Sequence, residues 1–142
     1  MPGPGSPSND GPGNLAYGWN WNTGSIAEGT YNPRLTVWDG SGLSASKTMF
    51  IGIDRTGPTM SSPTVGNGNE WVNSKSVTIS GFDAATDDGS GSGLDYVQIK
   101  QDNQWSNVSS ASTTINFEEG VHQIDMRAVD RAGNVGPTIT VD

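Results

Sequence analysis

Residues Glu28 to Gly42, EGTYNPRLTVWDGSG, return as Glu119 to Gly133, EGVHQIDMRAVDRAG, at a constant offset of 91 residues. Each copy opens on an acidic-glycine turn and continues as an alternating strand. It then turns again at an aspartate followed within three residues by a glycine. A further strand follows each copy and closes on aspartate, KTMFIGID at 47–54 and TITVD at 138–142. Such self-similarity predicts units strung in series.

The composition agrees with small β units. Twenty Gly and eight Pro punctuate the 142 residues, and the apolar residues come in short runs with no helical stripe, which predicts an all-β, antiparallel chain. No run of 18 or more apolar residues exists, so membrane insertion is not expected. A net charge of −8 disfavours nucleic acid and anionic membranes as partners, because either polyanion would repel this surface. Cysteine is absent, so sheet pairing and core packing must do what disulfides do in many small secreted domains. The start MPGPGSPSNDGPGN has neither the basic nor the apolar stretch of a signal peptide. Either the chain is cut from a longer secreted protein, or it reaches the outside by another route such as assembly into a virus particle.

Three segments follow from punctuation and period. Residues 1–14, rich in Pro, Gly, Ser and Asn, read as a flexible leader. Residues 15–56 read as a partial unit. In it Tyr17, Trp19 and Trp21 alternate along one face of a strand, Thr30 to Trp38 pairs back with Thr48 to Ile53, and Asp39 to Gly42 makes the turn. The DRTGP stretch at 54–58 is a semi-rigid link. Residues 57–142 read as a complete antiparallel β-sandwich, with strands at 62–65, 76–82, 94–101, 112–117, 121–129 and 137–141. Its core is expected from Val77, Ile79, Val97, Ile99, Ile115, Ile124, Met126 and Ala128.

The stretches GSGLDYVQIKQDNQWSN and FEEGVHQIDMRAVDRAGNVGPTITVD resemble bacterial Ig-like repeat modules, which occur in tandem on surface proteins, adhesins and secreted carbohydrate-active enzymes. The pattern is a GSG turn before a strand, an EG turn, and a strand ending in D-x-A-G-N, here Asp130 to Asn134. The resemblance covers nearly all of 59–142, and in a weaker form, with D-G-S-G, residues 17–54. It implies Ig-like sandwiches in tandem, the first incomplete because it lacks the early strands of the second. Such folds host many roles. A non-catalytic extracellular spacer or adhesive unit is the expectation, with other modules of the same or neighbouring chains as partners. The alternatives are a carbohydrate-binding accessory module of a polysaccharide-degrading enzyme and a virion decoration protein of capsid or tail.

Candidate residues divide by chemistry. Asp39, Asp130, Gly133 and Asn134 suit structural turns, since an aspartate carboxylate accepts N–H groups a few residues on. The loop DAATDDGSGSGLD gathers Asp83, Asp87, Asp88 and Asp95, hard oxygen ligands of the kind calcium takes, although their spacing is not that of a twelve-residue calcium loop. Trp19, Trp21, Trp38 and Trp105 are the candidates for stacking on a polysaccharide or cell-surface glycan, with core packing as the alternative for Trp19 and Trp21. His122 is the single histidine and no catalytic constellation surrounds it in the sequence, so no catalysis is expected.

Overall fold

A computed structural model of the protein describes residues 7–9, 15–17, 20–66, 68, 71–82, 85–89, 91–108 and 111–141, the first two stretches as backbone. The chain is all-β, and every described strand pairing is antiparallel. Among the described residues no helix is long and apolar enough to cross a membrane.

Two sheets built after residue 60 share one core. The first orders β10 (Gln104–Val108), β9 (Leu94–Gln101), β12 (Ile124–Asp130) and β13 (Ile139–Val141). The second orders β11 (Ser112–Asn116), β8 (Ser76–Ser80) and β7 (Thr64–Val65). Alternation along β8, β9, β11 and β12 sends every second side chain inward. All eight core residues expected from the sequence are accordingly buried, joined by Phe82 and Ala85 from the connection after β8. The β9–β10 connection is a two-residue turn at Asp102 and Asn103, both with positive φ (48° and 63°), as a tight hairpin requires. The polar run around Trp105 is therefore an edge strand.

The earlier part of the chain is a long hairpin. β3 (Gly29–Tyr31) and β4 (Arg34–Trp38) form its outgoing arm, and β5 (Ser44–Thr48) and β6 (Ile51–Ile53) its return. Gly29 faces Ile53, Pro33 accepts from Met49 N–H, and Trp38 faces Ser44, so one register runs the whole length. β1 (Pro7–Asn9) pairs with β2 (Leu15–Tyr17), which places a strand inside the segment read as a flexible leader. β2 ends at Tyr17, and Asn20 to Thr23 lie outside any strand, so the expected strand does not continue to Asn22.

The 91-residue repeat is visible in geometry. Tyr31 Oη donates to the Ala27 carbonyl at 2.8 Å, and His122 Nε2 lies 2.7 Å from the Glu118 carbonyl. Gly29 and Gly120 share φ values near the mirror-β region, 136° and 145°. At the second turn Leu43 N–H donates to Asp39 Oδ1 at 2.9 Å, and Asn134 N–H to Asp130 Oδ1 at 2.8 Å. Gly42 and Gly133 follow at φ 84° and 89°, a left-handed conformation that glycine adopts without steric cost. The returning strands differ from the offset by one residue, since Val141 faces Ile124 as Met49 N–H is bonded to the Pro33 carbonyl. The closing aspartate at 142 lies outside the described residues.

Candidate functional site

Residues 54–58 join the hairpin to the two-sheet unit, and they are bonded in both directions. Toward the hairpin, Arg55 N–H donates to Glu28 Oε1 at 2.7 Å. Its guanidinium donates to the carbonyls of Ile26 at 3.1 Å and Thr23 at 2.5 Å, and Thr56 Oγ1 donates to both oxygens of Glu28. A planar guanidinium with several donors suits this bridging of two carbonyls.

Toward the two-sheet unit, Ser92 N–H donates to Asp54 Oδ2 at 2.6 Å, while Ser92 Oγ accepts from Ala132 N–H at 3.0 Å. Thr59 and Thr86 exchange both backbone bonds at 2.8 Å. Gly57 and Pro58 lie directly on the backbone of Val135 and Gly136. A Cβ on Gly136 would collide with the Pro58 carbonyl, and one on Gly57 would come within 2.5 Å of the Val135 carbonyl. Only glycine permits so close a backbone approach.

The junction also gathers acids. Carboxylate oxygens of Asp54, Asp87 and Asp130 lie within 4.8 Å of one another, one from the link and two from the two-sheet unit. Asp87 accepts from Gly93 N–H at 2.6 Å and from Asp88 N–H at 2.9 Å. Asp130 accepts from the backbone and side-chain nitrogens of Asn134, both at 2.8 Å. A bulge in the β12–β9 pairing falls between Val129 and Asp130 and turns two adjacent side chains inward, so Asp130 is 1% exposed. Hydrogen bonds from the Ser92 side chain and backbone N–H hold the Asp54 carboxyl below its ordinary value of 3.8. None of the three carboxylates has an ion-pair partner among the described residues. Three like charges this close favour a cation between them. The set could hold a hard divalent ion such as calcium, which accepts carboxylate oxygens in flexible geometry.

This grouping differs from the calcium set expected of one loop. Asp87 belongs to it, Asp88 and Asp95 are exposed and stand outside it, and Asp83 lies outside the described residues. Acids adjacent in sequence point apart, whereas three distant segments bring their oxygens together. No spacing in the chain announces 54, 87 and 130 as neighbours. The hint available was that the 91-residue motif already singled out Asp130 and that Asp54 opens the link.

The tryptophans occupy separate settings. Trp21 meets Tyr31 edge-on at 5.8 Å, and Trp38 is 69% exposed beside the second turn of the hairpin. Trp105 is half-buried, with the Arg127 guanidinium 4.0 Å above its ring and the Lys100 ammonium at 5.8 Å, so one indole face is occupied. Trp19 lies outside the described residues. Trp71, exposed, borders a cleft of about 660 Å³ with Val72, Phe117, Val121 and His122, at the end of the unit away from the link. The His122 ring stacks at 4.9 Å on Phe117 and holds the Glu118 carbonyl. No protein-family model, curated protein or solved structure matches this chain.

Proposed function

We propose that the chain is a non-catalytic spacer or interaction unit of a modular extracellular protein, formed by two Ig-like β-sandwich units in tandem, the first incomplete. The observation that carries this reading is the link bonded on both sides. Arg55 and Thr56 tie it to Glu28, Thr23 and Ile26, while Asp54, Gly57, Pro58 and Thr59 tie it to Ser92, Val135, Gly136 and Thr86. A proline-containing link held in this way keeps few free dihedrals, so neighbouring units hold one distance and direction. Fixed spacing is what a unit needs to carry or present another module. The pairwise geometry at the 91-residue offset supports the tandem reading.

Calcium belongs to the same reading. An ion among Asp54, Asp87 and Asp130 would bind the link to the following unit and neutralise the acids gathered there. Thermal unfolding with calcium and with chelator tests this part. A melting temperature raised by millimolar calcium, with the rise lost in Asp87→Asn, supports the ion, and an unchanged curve removes it.

The chain has no cysteine, so spin labels at introduced cysteines are unambiguous. Labels at Thr48 and Thr114 are expected to give one narrow distance distribution that broadens in Arg55→Ala. A broad distribution in the unaltered link contradicts the spacer reading.

A further inference from the structure

Four large apolar side chains are exposed between 60 and 141 among the described residues. Val135 lies at the link, and the other three, Trp71, Val72 and Val121, border one cleft of about 660 Å³. Exposed apolar groups gathered in one place mark a binding surface, as scattered ones do not. A cleft of this volume falls in the range of about 300–1,000 Å³ that holds small ligands. It opens between the connection from β7 to β8 and that from β11 to β12. Its shape is set beforehand. Phe117 N–H donates to the Lys75 carbonyl at 2.8 Å and Lys75 Nζ pairs with Glu118 Oε2 at 2.7 Å, so the two connections are tied to each other. His122 is fixed by the Glu118 carbonyl and the Phe117 ring. Trp71 is 74% exposed and has neither a ring nor a cation partner among the described residues, in contrast to Trp21 and Trp105.

The lining selects the chemistry of the ligand. The free indole offers a flat apolar face, while Asn73, Glu119 and His122 offer hydrogen bonds around it. A carbonyl can only accept, so His122 Nε2 carries its hydrogen and Nδ1 of the neutral ring remains an acceptor. A wholly apolar ligand would take water from these groups without replacing it. Anions are disfavoured as well. Lys75 is already paired with Glu118, and Glu119 leaves the three at 1 − 2 = −1 in a chain of −8. Hydroxyl groups both donate and accept, and a sugar ring carries them at its edge around a face of C–H bonds that stacks on an indole. A second recess of about 600 Å³ shares Trp71, Val72 and Asn73 and adds the hydroxyl residues Ser76 and Thr78, so the indole serves two adjoining subsites. We propose that this cleft binds an uncharged oligosaccharide, with Trp71 as the stacking platform. None of the tryptophans expected from the sequence to stack on a glycan takes part, and the site is independent of how the link is read.

Titration of the intact, ¹⁵N-labelled chain with hexasaccharides of glucose, mannose, xylose and N-acetylglucosamine tests this, with the galacturonate and glucosamine hexamers as charged counterparts. Saturable shifts are expected for at least one uncharged sugar at the Trp71 indole N–H and at the amides of 71–75 and 117–122. Trp71→Ala should raise that dissociation constant by more than about tenfold, and Trp71→Phe, which keeps an aromatic face, by less. The exposure of Trp71 keeps both variants folded. Phe50→Ala removes a ring that is 72% exposed on the hairpin and should leave binding unchanged. No shift at the cleft with any uncharged sugar overturns the proposal. Shifts that Trp71→Ala leaves intact, or tighter binding of either charged hexamer, overturn it equally.

Discussion

Ser92 donates its backbone N–H to the Asp54 carboxylate at 2.6 Å, across 38 residues of sequence, and so fastens the link to the unit that follows it. Asp54→Ala leaves the N–H groups of Ser92 and Thr56 without this acceptor. A loss of about 1 kcal/mol is expected by urea unfolding, the usual worth of such a bond. The same contact sets a pH dependence. The Asp54 carboxyl is held below 3.8, first by the Ser92 side chain and then by its N–H, and Asp125 is held below 3.8, first by Thr140 and then by Lys100. A carboxyl lowered on folding stabilises fully above its unfolded value and loses that contribution as pH falls through the folded one. Stability should therefore decline below about pH 3.8, and Asp54→Asn should make that decline shallower in melting curves recorded against pH.

Asp130 and Asp39 make the same turn in different surroundings. Asp130 is buried and satisfies both nitrogens of Asn134, while Asp39 serves Ser41 and Leu43 at the surface. Asp130→Ala is expected to cost about 1–3 kcal/mol, since it leaves the half-buried nitrogens of Asn134 without their acceptor. Asp39→Ala should cost clearly less, because water can replace its carboxylate. Equal losses in chemical unfolding would contradict the contrast.

Gly136 and Gly52 test the close approach at the link. A methyl group at Gly136 meets the Pro58 carbonyl, whereas one at Gly52 meets nothing within 4 Å. Gly136→Ala should destabilise by about 1–3 kcal/mol through backbone displacement. Gly52→Ala should lie within about 0.5 kcal/mol of the parent chain.

Met126 and Leu35 hold equivalent places in the repeat with and without cover. Met126→Ala is expected to cost about 2–5 kcal/mol, as large-to-small changes in packed cores do. Leu35→Ala should cost less than about 1 kcal/mol, since nearly half of the side chain already faces water. Guanidinium unfolding of dilute samples reads both.

Period two made the buried face legible: Val77 with Ile79, Val97 with Ile99 and Met126 with Ala128 could each be placed inward from alternation alone. The repeat marked the turns at Asp39 and Asp130 because an aspartate bonding N–H groups ahead of it is a local device. β10 was hidden, since an edge strand whose outward residues are polar has little alternation to display. Its clue was Asp102–Asn103, a pair that tolerates positive φ. The acid cluster was illegible for another reason. Asp54, Asp87 and Asp130 become neighbours only through the bulge in β12 and the docking of the link, which depend on tertiary packing.

Held by the link, the hairpin and the two-sheet unit should tumble as one body. Backbone amide ¹⁵N relaxation measures this directly, comparing residues 29–53 with residues 76–141. One rotational correlation time and one diffusion tensor are expected for both stretches, separating into two when Arg55 and Asp54 are replaced by alanine. Two different correlation times in the unaltered chain would contradict it.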